Sequence, residues 1–137
     1  MKWNWIVCLA SQCEDLCERE GRSQAQALAQ SGIRAEDLKC ALEQGSGLVR
    51  RKALHLLTFF DPSAAFDDLI VSLECDPSPV VRHEAAYFLG VLKRDEAVAP
   101  LVRALHSDPC ELVRHEAAEA LGDLGSRRAL SALLEAK

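Results

Sequence analysis

The sequence predicts an all-α fold: a right-handed α-α superhelix of about three and a half stacked helical hairpins behind an N-terminal helical cap. Three observations predict it. Ala and Leu supply 41 of the 137 residues while Val, Ile and Thr supply 13, a balance that favours helix over sheet. A block of the chain beginning at Asp76 returns from Asp108 without a gap, and periods of about 20–50 residues mark stacked arrays. Within that block the apolar residues recur at helical spacing.

The block Asp76-Pro77-Ser78-Pro79-Val80-Val81-Arg82-His83-Glu84-Ala85-Ala86-Tyr87-Phe88-Leu89-Gly90 returns as Asp108-Pro109-Cys110-Glu111-Leu112-Val113-Arg114-His115-Glu116-Ala117-Ala118-Glu119-Ala120-Leu121-Gly122. Between 76–105 and 108–137, 14 of 30 positions are identical. A weaker copy lies upstream at the same offset, where Val49, Arg50, Ala53, Leu57, Ala65, Leu69 and Leu73 match Val81, Arg82, Ala85, Leu89, Ala97, Leu101 and Leu105.

Each copy reads as two helices. Asp76 and Asp108 stand where N-caps are wanted, each followed by a proline suited to the first helical position. Asp108 with Glu111 resembles a capping box, and Asp61-Pro62 repeats the device for the second helix of the first copy. Val81, Ala85, Phe88, Leu89 and Leu92 form one helical stripe, with Gly90 and Gly122 near the ends of the first helices. Leu69 and Leu73, Leu101 and Leu105, and Leu130, Leu133 and Leu134 are the expected core of the second helices. Pro100 requires its helix to start within a turn before it.

Upstream, Asp37-Leu38 and Leu42-Glu43 resemble Asp68-Leu69 and Leu73-Glu74, so residues 35–44 read as the second helix of a degenerate unit. Residues 1–34 then form the cap, helical over 3–20 and 23–31, with Gly21 and Gly32 as breaks. One hairpin cannot bury both of its faces; stacking at least three makes a continuous core. The expected organisation is one domain, 1–137, with repeats over 35–137.

Hydrophobic residues make up 49% and charged residues 27%, an ordinary globular balance, and aromatics only 5%, so the core is built from aliphatics. The net charge of −5 argues against a generic basic nucleic-acid binder. No apolar run approaches the ~18 residues that span a bilayer, so no membrane role is expected. The start, Met1-Lys2-Trp3-Asn4-Trp5-Ile6-Val7-Cys8, lacks the apolar stretch of a signal peptide, and a cytoplasmic protein is expected. There the six cysteines are not expected to form disulfides.

The pattern Asp-Pro-x-x-x-Val-Arg-x-x-Ala-Ala-x-x-Leu-Gly, at Asp76–Gly90 and Asp108–Gly122, resembles the HEAT-like repeats of the phycobilisome-lyase type. The resemblance covers roughly residues 35–137 and implies the superhelical fold. That family spans chromophore lyases and scaffolds, and fold does not decide among them. His83-Glu84 and His115-Glu116 are similar to the His-Glu motifs of deoxyhypusine hydroxylase, a di-iron enzyme of the same repeat architecture. That resemblance implies His83, Glu84, His115 and Glu116 as iron ligands. The family uses four pairs and this chain has two, the earlier copy carrying Arg51-Lys52 instead; a twofold dimer supplies four.

On their helices these His-Glu residues point away from the Val81–Ala85–Leu89 stripe and form a polar ladder, suited either to iron or zinc or to solvated contacts. Cys8, Cys13, Cys17 and Cys40 are four thiols that suffice for an iron–sulfur cluster. Their spacing matches no common cluster run, and Trp5, Cys8, Leu9, Cys13, Leu16 and Cys17 share one helical stripe, as buried core would. Trp3 and Trp5 are expected to cover the open end of the array or to anchor a partner. Cys75 and Cys110 fall at inter-helix turns. His55, His106 and the basic cluster Arg50-Arg51-Lys52 are expected on the surface. No phosphate loop, nucleophile elbow or HExxH occurs.

The leading expectation is a non-enzymatic adaptor without a cofactor. It binds a protein partner through the surface of the repeated first helices, with Arg82, His83, Tyr87, Arg114, His115 and Glu119 as contacts. The alternatives are an iron-dependent oxygenase using the His-Glu pairs, a bilin lyase-like protein, and an iron–sulfur protein using the N-terminal cysteines. The oligomeric state is open at this level.

Overall fold

The structure, a computed structural model, describes residues 18–135. Among the described residues it is all-helical, without strands. The helices are α1 (Glu18–Gln30), α2 (Ala35–Gln44), α3 (Gly47–Phe60), α4 (Pro62–Cys75), α5 (Pro79–Leu92), α6 (Val98–Ser107), α7 (Glu111–Leu124) and α8 (Arg127–Glu135), with a 3-10 turn at Asp95–Ala97. The chain divides into two compact units, with the boundary between Ala65 and Phe66.

In the first unit α1 and α2 both pack against α3. The expected second helix of a degenerate unit is α2, with the predicted bounds. Gly21 does not break the cap, because α1 runs straight through it; Gly32, at φ 88, does end the segment, in a conformation that glycine adopts without steric cost. Ser46 caps α3, its Oγ accepting from the Val49 amide.

Helix α3 corrects two surface assignments. Lys52 is only 4% exposed and His55 7%, and Arg50 and Arg51 are half-buried. A helix covered by two neighbours buries a wider arc than the single stripe a sequence pattern reveals. Thr58, inside the same arc, turns its hydroxyl onto the Leu54 carbonyl at 2.8 Å. Arg22 lies over the Phe59 ring, 6.0 Å from its centroid.

Asp61 starts α4 as predicted, its Oδ1 accepting from the Ala64 amide at 3.1 Å with Pro62 as the first helical residue. Phe66, Leu69 and Leu73 are buried, and the Arg94 guanidinium stacks 3.9 Å over Phe66.

In the second unit α7 packs against α5 and α6, and α8 against α7 and α6. Asp76 and Asp108 do not cap helices. The cap positions are Ser78 and Cys110, and Pro79 rather than Pro77 is the first helical residue. Each aspartate accepts from the amide two residues on, Asp76 Oδ1 from Ser78 at 2.9 Å and Asp108 Oδ1 from Cys110 at 2.8 Å. A short carboxylate closes such a turn as readily as it caps a helix.

Helices α5 and α7 end on left-handed residues at equivalent repeat positions, Lys93 (φ 53) and Gly125 (φ 60), beyond the expected end signals Gly90 and Gly122. Pro100 sits in the first turn of α6, which the 3-10 turn precedes, as its missing amide requires.

Val81, Ala85, Phe88, Leu89, Leu101, Val113, Ala117 and Leu121 are buried. Leu105 is only half-buried. The expected core of α8 is corrected: Ala129 and Ala132 face inward, Leu133 is half-buried, and Leu130 and Leu134 are exposed. One residue further along a helix turns a side chain by about 100°, so the small residues at 129 and 132 take the inner face.

Candidate functional site

The six expected contact residues separate into two groups. Arg82 and Arg114 point into the structure. The Arg82 side chain is 12% exposed; its Nε donates to Asp108 Oδ2 at 2.9 Å and its Nη2 to Asp108 Oδ1 at 3.2 Å. Its Nη1 donates to the carbonyls of Asp76 and Pro77, at 2.9 and 3.2 Å. Arg114 repeats the contact to its own turn, Nη1 reaching the Asp108 carbonyl at 2.7 Å, and Arg50 does the same in the first unit with the Gly45 carbonyl at 2.8 Å. The turn carbonyls ahead of each first helix need donors, and the periodic arginine supplies them.

His83, Tyr87, His115 and Glu119 remain on the outside. On α5, Val80, His83 and Tyr87 lie three and four residues apart and share one helical face; on α7, Leu112, His115 and Glu119 do the same. The helices pack side by side, so the two rows run in register at the repeat offset. Val80, Tyr87 and Leu112 are exposed apolar residues, as is Leu48 at the matching position of the first unit. Sequence reasoning missed Val80 and Leu112. The signal was there: in Val80-Val81 and Leu112-Val113 only one neighbour can join the buried stripe.

Beneath the rows lies Glu116, 8% exposed, with Oε2 3.0 Å from His83 Nε2. Burial raises its carboxyl above the usual carboxylate range; the adjacent His83 opposes that shift, and Glu119 adds to it. His115 turns the other way, its Nε2 2.9 Å from Glu119 Oε1 one helical turn on. Tyr87 sets its ring edge-on to Phe88, centroids 5.1 Å apart, with Phe88 in the core.

The His-Glu residues are thus engaged as two pairs, His83 with Glu116 and His115 with Glu119, and Glu84 is half-buried. Among the described residues no group of three or more His, Cys, Asp and Glu is placed to hold a metal ion. Of the thiols considered for a cluster, Cys40 is half-buried and free, while Cys8, Cys13 and Cys17 lie outside the described residues, as do Trp3 and Trp5. Cys75 ends α4, exposed, and Cys110 precedes α7; both are free thiols. His106 is exposed on α6.

Paired helices, a constant offset between copies and a periodic arginine that ties each turn define an all-α helical-repeat protein. The chain belongs to the HEAT-repeat family: the family model for HEAT repeats matches residues 35–109 and again 67–136. No curated protein matches it. No described helix is long and apolar enough to cross a membrane.

Proposed function

We propose that the chain is a protein-binding adaptor that takes its partner on the two-row face of α5 and α7. HEAT repeats are in general protein-interaction scaffolds, and solenoid repeats offer extended surfaces for that purpose. The observation that carries the reading is the register of exposed apolar side chains with imidazoles. Val80 and Tyr87 on one helix stand beside Leu112 on the next, flanking His83 and His115. A tyrosine in such a patch supplies large contact area at low entropic cost. The pair His83–Glu116 holds the two rows together from beneath.

The test is affinity capture from the native host with quantitative mass spectrometry, using the wild-type chain beside Tyr87→Ala and Leu112→Ser. Both changes are at exposed positions and are expected to leave thermal unfolding unchanged. The reading predicts a specific set of proteins lost from both variants. An identical set from all three chains overturns it.

A further inference from the structure

Three sets of equivalent positions in consecutive repeats differ in the same way. Arg82 places its Nε and Nη2 on the Asp108 carboxylate of the following repeat; Arg114 makes only its Nη1 bond to the Asp108 carbonyl, and among the described residues its Nε and Nη2 meet no acceptor. At Gly90 a Cβ atom would stand 2.9 Å from the Ala120 Cβ, so α7 packs directly on that glycine; at Gly122 a Cβ atom would meet nothing within 4 Å. Val98 is 3% exposed with α8 lying alongside, since Val98 and Val102 line one groove with Ser131 and Ala132. Their equivalents Leu130 and Leu134 are 56% and 62% exposed.

From these differences we infer that the free face of α7 and α8 is one half of a repeat-to-repeat interface, and that it docks a further HEAT-type hairpin presented by a protein partner. The chemistry of the occupant follows from the filled interface. Its leading turn carries a carboxylate that enters the open edge of Arg114, as Asp108 enters Arg82. Its first helix brings a small residue to Gly122, as Ala120 meets Gly90. Its second helix covers Leu130 and Leu134. A glycine inside a helix is destabilising relative to alanine, and Gly122 makes no close contact that accounts for it until a helix arrives there. This surface is distinct from the two-row face and does not depend on it.

The probe is a synthetic peptide with the sequence of residues 108–137, the chain's own last repeat, added to the intact protein and followed by calorimetry and circular dichroism. The expected result is saturable one-to-one binding with a gain of helix. Replacing the peptide's first residue, the counterpart of Asp108, by Asn weakens binding about tenfold, as does Arg114→Gln in the protein, and the two changes together cost little more than either alone. Gly122→Leu fills the notch and abolishes binding while the protein unfolds at no lower a temperature than the wild type. No saturable binding up to millimolar peptide overturns the inference, and so does binding that ignores both Arg114→Gln and Gly122→Leu. Self-association of the protein that Gly122→Leu abolishes also overturns it, by making a second copy the occupant.

Discussion

Arg82 and Asp108 form a two-pronged ion pair across consecutive repeats, with Nε to Oδ2 at 2.9 Å and Nη2 to Oδ1 at 3.2 Å. The side chains are 12% and 5% exposed, so the pair is largely removed from water. Removing one partner of such a pair strands the other charge. Arg82→Ala is expected to destabilise the protein by about 2–4 kcal/mol, and Arg82→Lys to recover only part, since an ammonium lacks the planar fork. Urea unfolding measures both. An alanine variant that loses no more than an ordinary surface substitution does would refute the assignment of Arg82 as an inter-repeat tie.

Two glycines at equivalent positions are expected to respond with opposite signs. At Gly90 the incoming methyl meets the Ala120 Cβ at 2.9 Å and its Cα at 3.0 Å, and backbone cannot yield cheaply. Overpacking of about 1–3 kcal/mol outweighs the gain of about 1 kcal/mol in helix propensity, so Gly90→Ala destabilises. Gly122 faces open space, so Gly122→Ala stabilises the protein by up to about 1 kcal/mol. Paired thermal unfolding curves decide it, and equal shifts of the same sign would contradict the packing described for α7 on α5.

What can be read from the sequence follows from periodicity. The offset between copies locates the paired helices, a likeness to Asp68-Leu69 and Leu73-Glu74 one residue out of step gives α2, the Asp-Pro pair marks the Asp61 cap, and helical spacing picks out the core positions Val81, Ala85, Phe88 and Leu89. What cannot be read depends on direction. Arg82 and Arg114 look like surface residues by type, and only the geometry of the turn shows the carbonyls they serve. Asp76 and Asp108 carry cap chemistry, yet the same carboxylate closes the turn two residues earlier than a cap would. Lys52 and His55 read as surface residues because pattern alone does not count how many neighbours cover a helix. Leu130 and Leu134 read as core, yet an apolar residue in a helix is buried only where a neighbour lies against it. The candidate face is half legible: His83, Tyr87, His115 and Glu119 are on it, while Val80 and Leu112 are hidden beside the core valines.

His55 gives the protein a pH dependence with a defined sign. Burial, with Lys52 and Arg51 nearby adding to it, lowers its pKa from 6.5 to about 4. A histidine whose folded pKa is depressed binds its proton more readily in the unfolded chain. Its effect on stability is therefore absent above about pH 6.5 and grows as a loss while pH falls towards 4, reaching at most about 3 kcal/mol. The ring also contacts Phe59, centroids 5.3 Å apart, so an apolar replacement keeps part of the packing. Unfolding measured from pH 7.5 to 4 is expected to show this decline in the wild type and a flatter profile in His55→Leu. Parallel profiles would remove His55 as the source.

Glu116 contributes in the opposite sense. Burial holds its carboxyl above 4.5 in the folded protein, while the unfolded chain titrates near 4.5. An acid with a raised folded pKa carries no burial cost below its unfolded value. Stability is then lost as pH rises from about 4.5 through the folded pKa, where the folded protein holds a proton that the unfolded chain has released. Glu116→Gln keeps the side-chain shape and an oxygen able to accept from His83, now 3.0 Å away, without the buried charge. The variant is expected to match the wild type at pH 4 and to gain on it by up to about 1 kcal/mol at pH 7. Glu116→Ala loses the contact and the packing together and is destabilised at both pH values. Denaturant titrations of the three chains at pH 4 and 7 provide the measurement. A Gln variant that loses stability specifically at pH 7 would show instead that the ionised pair with His83 outweighs burial.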